Sequence, residues 1–590
     1  MEHLDTDVLV VGAGPMGATT ALALAQHGVR VTMVNRYNWT ADTPRAHITN
    51  QRAVEVLRDL GVEQDAMREA TPWEWMGDTL FTTSLAGPEI VRLRTWGTGD
   101  KRFGDYLQGS PCQFMDLPQN RMEPILVRHA AANGARLLFN TEYLGHQQDA
   151  NGVTVTLRDR TSDRQFEIRA GYLVGADGGK SKVMDDAGLA LEGHYARAAT
   201  AYVLFRADLT RYVAHRPSIL YWIVTSNAAF GEIGMGLLRA IQPWKQWIAG
   251  WGLDMNKGEP DFSYQEVLSK VRLLVGDPEL EIEIDDTSVW YVHQAIAPVY
   301  SKGRVFCGGD AVHRHPPSSG LGSNTCLQDA FNLAWKLAYV VKGHAGAKLL
   351  ESYSLERAPV GAQVVARANQ SRLDYAPLNQ CFRDPEADDP VASGLAKLRD
   401  PGAEGIARRA QLAAALELKN TEFNAQGVEM NQRCESDAVI PDPDAGDEVF
   451  ARDRQLYLQA TTRPGAKIPH AWLVGADGRR VSTLDLVGKG RFTVVTGIAG
   501  QAWKQAVQDL ALPYLDALVV GTGHAQDVYF NWASIREIDE AGALLVRPDG
   551  VVAWRNTRGV ADANAARREL GAALSQVLAL DDLVPAQVTR

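Results

Sequence analysis

Ten residues near the start of the chain, Val8-Leu-Val-Val-Gly12-Ala-Gly14-Pro-Met-Gly17, run an apolar segment into a glycine turn. An apolar run that ends in G-x-G-x-x-G reads as a buried parallel strand feeding a tight turn and then a helix. Gly12 makes the turn, Gly14 lets backbone approach a pyrophosphate, and Gly17 lets the helix pack closely on the strand. Ala18 to Gln26, rich in alanine and leucine, supplies the helix; Gly28 ends it, and Val29 to Val34 is the second strand. The free N–H groups and positive dipole end of that helix would hold the phosphates. A bound dinucleotide on a Rossmann-like α/β sheet is therefore expected. The acidic residue that usually grips the ribose about 20 residues on is absent, and Asn35-Arg36 stands there instead. Asn35 can bond a ribose hydroxyl, and Arg36 can stack on adenine or meet a phosphate. Two solvent-facing residues at a strand end would read the same way.

At 590 residues the chain exceeds what one core usually serves, and two to four domains are expected. A formal net charge of −11 argues against a nucleic-acid or anionic-membrane surface. The five cysteines show no C-x-x-C and no metal-ligand spacing, which fits free thiols in a reducing compartment. No leader peptide and no apolar stretch of about 20 residues is visible. A soluble, cytoplasmic protein is expected.

Periodicity places a helix over Asn50 to Arg68 and another over Pro118 to Ala132. Ala135 to Asn140, Val153 to Arg158 and Phe166 to Ala170 read as strands. Tyr172-Leu-Val-Gly-Ala-Asp177-Gly178 is a second buried strand ending in an acidic-glycine turn, and Arg304-Val-Phe-Cys-Gly-Gly309-Asp310 is a third. Between them the texture turns strand-like and aromatic, as in an inserted mixed sheet covering a ligand. After an Asp- and Pro-rich stretch comes a helix at Glu404 to Lys419, then a separate α/β unit whose Pro548-Asp549-Gly550 closes a hairpin. The division expected is 1–188 and 291–395 for the dinucleotide domain, 189–290 for the insertion, 396–444 for a helical linker and 445–590 for the last unit.

In an open parallel sheet all three glycine turns can end at one crevice. With them go Pro44-Arg-Ala-His47-Ile-Thr-Asn-Gln-Arg52, Asp116-Leu-Pro-Gln119 with Glu123-Pro-Ile-Leu, and Gly308-Gly-Asp310-Ala-Val-His-Arg-His-Pro-Pro317 followed by Gly320-Leu-Gly-Ser-Asn-Thr325. In these motifs nearly the whole chain resembles the FAD-dependent aromatic hydroxylases, single-component flavoprotein monooxygenases of the para-hydroxybenzoate hydroxylase type, and most nearly their phenol-hydroxylase branch. The resemblance implies FAD, with NADH or NADPH as electron donor, O₂ and a small phenol as substrates, a flavin hydroperoxide, ortho-hydroxylation to a catechol, and a homodimer or higher oligomer. It implies that Gly12, Gly14 and Gly17 hold the ADP part and that Arg45 and Gln119 contact FAD. Asp177 would serve FAD and the nicotinamide cofactor, Asp310 the ribityl chain, and the backbone around Leu321 and Gly322 the flavin pyrimidine edge. Two positions depart from the pattern: Asn35, and Met184 where an arginine usually ends the D-G-x-x-S-x-V-R run. The last unit resembles the thioredoxin-like domain of this branch, but no cysteine follows Cys434. Thiol–disulfide exchange is therefore excluded there, and a structural or dimer-forming role is expected.

A phenol is activated by losing its proton, and its ordinary pKa near 10 calls for a base. The resemblance implies that His47, two residues after Arg45, lies near the phenol oxygen and Asp116 at the pocket floor; they are the candidates, and a carboxylate beside the ring would stabilise the imidazolium formed. His47 could equally be a satisfied core histidine, and Asp116 a helix N-cap before Leu117-Pro118. Pro316-Pro317 could line the flavin's reacting face or merely break the chain. Trp222 and Arg239, in the insertion, could meet substrate or nicotinamide, or belong to its core. His313 and His315 invite a metal reading that nothing nearby completes, and no metal is expected. Rival readings are a hydroxylase of a larger polyketide or antibiotic on the same scaffold, a flavin redox or regulatory protein without hydroxylation, and a nicotinamide-only dehydrogenase.

Overall fold

The computed structural model describes residues 4–195, 198–226, 233–254, 256 and 260–581. Residues 196–197, 227–232, 255 and 257–259 of the expected insertion, and 582–590 at the end of the expected C-terminal unit, lie outside the described residues.

Thr6–Val11 lies in the middle of an eight-stranded sheet, with Val8, Leu9, Val10 and Val11 apolar and buried on both faces. It runs parallel to Val31–Val34 on one side and to Gln165–Gly175 on the other. Val305–Cys307 and Arg136–Leu138 extend the parallel part outward, and Thr141–Gln148 and Val153–Asp159 add antiparallel strands. Phe166 to Ala170 and Tyr172 to Gly175 therefore belong to one continuous strand. Helix Pro15–Gln26 starts with proline at its first turn, where a missing N–H costs nothing. The helix expected over Asn50 to Arg68 is two, Gln51–Asp59 and Glu63–Glu69, since Gly61 between them takes a left-handed φ of 74°.

The second sheet has seven strands in the order Glu283–Tyr291, Ala199–Arg206, Gln246–Leu253, Gly236–Gln242, Leu220–Ile223, Asp78–Thr82 and Glu89–Arg94. Its last two strands come from well before residue 189, and Asp78–Thr82 joins the sheet parallel to Leu220–Ile223. One face of this sheet buries Tyr221, Trp247 and Leu238 against helix Tyr264–Val275. The other turns Phe81, Trp222 and Leu237 toward Ile48 of the first unit and toward Tyr375, Leu378 and Phe382. Helices Ala376–Phe382, Pro390–Arg399 and Ala403–Leu418 cover that face and contribute Leu378, Phe382, Leu395, Leu398 and Leu412 to its core.

In the C-terminal unit four strands lie in the order Leu515–Val519, Phe492–Thr496, Ala543–Val546 and Val552–Asn556, the first pair parallel and the others antiparallel. Its core is continuous with the first unit: Phe492 meets Trp335 and Tyr339 of helix Gly322–Val341 edge to face at 5.7 Å. No helix among the described residues is long and apolar enough to cross a membrane.

Candidate active site

The three glycine turns do converge. Gly12 has φ 108°, and a methyl group there would lie 2.2 Å from the Ala176 carbonyl oxygen, just before Asp177. A methyl on Gly17 would lie 1.9 Å from the Gly12 carbonyl oxygen, so strand and helix meet only because neither residue has a side chain. Gly308 donates its N–H to the Gly175 carbonyl at 3.2 Å, and a Cβ on Gly309 would stand 3.3 Å from that of Met16. Around Gly14, by contrast, a methyl would touch only Glu123 Oε1, at 3.8 Å. Helix Pro15–Gln26 has no side-chain cap on its N-terminal N–H groups. An open cradle of backbone donors at a helix start is what a pyrophosphate requires, and the residues present fit FAD.

Other expected cofactor residues surround this cradle in different states. Asn35 spends its amide N–H on the Trp39 carbonyl at 2.9 Å, and Arg36 lies over the Tyr37 ring at 4.8 Å. Arg45 is exposed. Gln119 donates to Glu123 Oε1 at 2.6 Å, while Glu123 Oε2 accepts the Ala41 N–H at 2.7 Å. Glu123 is thus a buried carboxylate behind the cradle, its pKa pushed up by burial. Asp177 caps its own loop: it accepts from Ser181 Oγ at 2.5 Å and from the Lys182 and Val183 N–H groups at 2.8 and 3.1 Å. Asp310 is exposed on a short turn whose neighbours Gly309 and Ala311 are buried. Pro316 is buried and Pro317 exposed. Left-handed Ser319 and Gly320 then carry the chain to Leu321 and Gly322, where the N-terminus of helix Gly322–Val341 again lacks a side-chain cap. A methyl on Gly320 would lie 3.2 Å from Ile48 Cβ, which brings this loop against the residue after His47.

His47 and Asp116 are brought together by a short antiparallel ladder. Ile48 pairs with Asp116 and Thr49 with Met115; Leu117 N–H donates to the His47 carbonyl at 2.7 Å and Gln119 N–H to that of Ala46 at 2.7 Å. His47 Nδ1 lies 4.0 Å from Asp116 Oδ1 and has no hydrogen-bond partner among the described residues. The N-cap alternative for Asp116 fails, because the helix begins after Pro118 without a side-chain cap. Its carboxylate, fully buried, accepts instead from Thr71 Oγ1 at 2.7 Å and from Arg239 Nη2 at 3.0 Å.

Arg239 thus joins the pair. It projects from strand Gly236–Gln242, keeps Nε without a partner among the described residues, and lies near Tyr202, whose hydroxyl is pushed up to about 12 by burial. Burial drives the His47 pKa well below its ordinary value, and the Arg239 cation adds to this. Burial raises Asp116, while Arg239 and the Thr71 hydroxyl oppose that rise. The resulting arrangement is a neutral imidazole beside a buried carboxylate paired with Arg239, next to the apolar cluster that holds Ile48, Trp222 and Leu237. Trp222 packs on Tyr375 with ring centres 4.8 Å apart. Thr71, Tyr202 and Tyr375 escaped sequence reasoning, since each reaches the site only through the tertiary fold. His313 and His315 make no joint site: His313 bonds Asp329 at 3.0 Å and His315 the Pro316 carbonyl at 2.8 Å.

A glycine cradle, two further acidic-glycine turns and a buried His–Asp–Arg cluster beside aromatic side chains define a flavoprotein that works on a ring compound. Residues 5–368 match the FAD binding domain family and 461–579 the aromatic-ring hydroxylase C-terminal family, and the chain belongs to the FAD-dependent aromatic hydroxylases. It is 49% identical, over 96% of its length and 97% of the relative's, to a 2,4-dichlorophenol 6-monooxygenase of Cupriavidus pinatubonensis. A phenol 2-monooxygenase of a Pseudomonas species is 43% identical over 95% of this chain and 92% of its own. The crystal structure of the flavin-dependent monooxygenase PieE in complex with FAD and substrate superposes with a TM-score of 0.92 at 40% identity, covering 98% of this chain and all of that one.

Proposed function

We propose that this enzyme ortho-hydroxylates a substituted phenol to a catechol, using O₂ and electrons from NADH or NADPH. The observation that carries the reading is the buried His47–Asp116–Arg239 constellation beside the cofactor loops. The names of the most similar relatives support a phenol as the ring compound. Bound FAD, held by Gly12, Gly14 and Gly17 with Arg45, Gln119 and Asp310, supplies the redox and oxygen chemistry. The chain's own residues prepare the substrate. Neutral His47 accepts the phenol proton; Asp116 offsets the imidazolium charge so formed; Arg239 and Thr71 oppose the rise that burial imposes on the Asp116 pKa. The phenolate left behind directs electron density to its ortho and para carbons. The aromatic wall around Trp222 and Tyr375 excludes water and orients the ring. The C-terminal unit has no cysteine for redox work and serves as structure.

The test uses a nitrophenol, whose phenolate is coloured. Bound to the holoenzyme it should ionise at a lower pH than in free solution, and the shift should shrink in Asp116→Asn. An unchanged ionisation on binding to the wild type would refute the proton-acceptor reading.

A further inference from the structure

One fully buried charge cluster lies away from the active site, where the C-terminal hairpin meets the first unit. Arg547, at the start of the turn that Pro548-Asp549-Gly550 completes, is wholly buried. It donates to both oxygens of Glu356 at 2.7 and 2.9 Å and to both oxygens of Asp549 at 3.0 and 2.6 Å. Lys336 donates to Glu356 at 2.8 Å, and Asn332 and Ser436 at 2.7 and 2.6 Å. Two cations and two carboxylates thus balance, with the Glu356 oxygens saturated by donors. Hydrophobic residues of similar volume would hold the two units together without the desolvation cost of four charges. The cluster fixes orientation as well as contact.

What it orients follows from the next residue along helix Glu351–Leu373. Arg357 donates to Asp329 Oδ1 at 2.7 Å. The other Asp329 oxygen accepts the Gly309 N–H at 3.1 Å and pairs with His313 Nε2 at 3.0 Å. Asp329 and His313 are completely buried. Asp329 therefore grips from below the turn that presents Asp310, and Arg357 holds Asp329. Without Arg547, Glu356 and Asp549 would share one ammonium ion in a dry interior. The helix would have to shift to hydrate Glu356, and Arg357 would move with it.

We infer that Arg547 of the C-terminal unit is a positioning residue for the FAD-binding turn Gly309–Asp310, acting through Glu356, Arg357 and Asp329. This rests on the reading of that turn as a cofactor contact and gives the C-terminal unit a defined task within it. The test is a double-mutant cycle on the full-length chain, with Arg547→Gln, Asp329→Asn and the combination. FAD affinity is read by flavin fluorescence, the midpoint potential of the bound flavin is read alongside it, and far-UV circular dichroism monitors the fold. Each single change should weaken FAD binding by about tenfold or more, and the double should be no weaker than the worse single within about threefold. Arg547→Lys, which keeps a cation at Glu356, should recover most of the affinity and the native potential. If Arg547→Gln does not fold, the same cycle with Glu356→Gln in its place, which removes the carboxylate that Arg547 grips, should show the two losses failing to multiply. Unchanged FAD affinity and potential in Arg547→Gln, or two losses that multiply, would overturn the inference. A wild type that binds no FAD would overturn the reading of the turn itself and this inference with it.

Discussion

Asparagine in place of Asp116 removes a carboxylate 4.0 Å from His47 Nδ1 while preserving shape. Two unit charges at that separation attract by about 4 kcal/mol at an effective dielectric of about 20. That is the stabilisation lost by an imidazolium formed when His47 takes the phenol proton. Arg239, deprived of its counter-charge 3.0 Å away, repels the same imidazolium, so both effects act in one direction. About 4 kcal/mol corresponds to roughly a thousandfold in any rate that requires this proton transfer. Some stability is lost too, about 3–5 kcal/mol at most for a buried charge left unpaired. The loss is lessened here because the amide oxygen can still accept from Arg239. Single-turnover hydroxylation, followed by quenching and catechol quantification across a pH series, measures the effect directly. Hydroxylation should fall by two to three orders of magnitude at neutral pH and recover partly toward pH 10, or with a more acidic phenol already ionised in solution. The reasoning fails if Asp116→Asn hydroxylates within about threefold of wild type with an unaltered pH profile.

His47→Ala should retain FAD, because the cofactor cradle is built elsewhere, yet oxidise reduced nicotinamide largely without forming catechol. Retention of full coupling would remove His47 from the mechanism. His470, 6% exposed and bonded to Ser482 Oγ at 2.8 Å, has its pKa lowered to about 4 by burial and Lys467. Its folded value lies below the unfolded 6.5, so its contribution to stability is intact above pH 6.5 and lost as pH falls toward 4. At pH 5 the cost is about 2 kcal/mol. Denaturant unfolding at pH 7.5 and 5.0 should show His470→Gln losing less stability between the two than wild type; equal losses would contradict the assignment.

Much of the candidate cofactor cradle was legible because it is local. A glycine with positive φ, an apolar strand and a helix start lie within ten residues at Gly12–Gly17, and the same economy holds at Asp177-Gly178 and Gly309-Asp310. The His47–Asp116 pair came from motif resemblance, and the ladder Ile48↔Asp116 supplies the physical cause that periodicity could not show. That ladder also explains why Asp116 is no N-cap despite the proline two residues on: strand pairing turns its carboxylate toward Thr71 and Arg239. Arg239 looked equivocal because one cation on an aromatic strand says nothing about its partner across 123 residues. Strand Asp78–Thr82 was missed since its alternation is interrupted by Leu80-Phe81, both buried between layers. The role of helix Glu351–Leu373 was equally hidden, as Glu356 and Arg357 acquire meaning only when two distant segments close on them.

Substrate-dependent turnover decides the central claim. Purified holoenzyme should oxidise NADH or NADPH faster when a phenol is added, and each equivalent consumed should yield close to one equivalent of catechol hydroxylated ortho to the original oxygen. Accelerated oxidation that returns only hydrogen peroxide across a panel of substituted phenols, with no ring product, would contradict it.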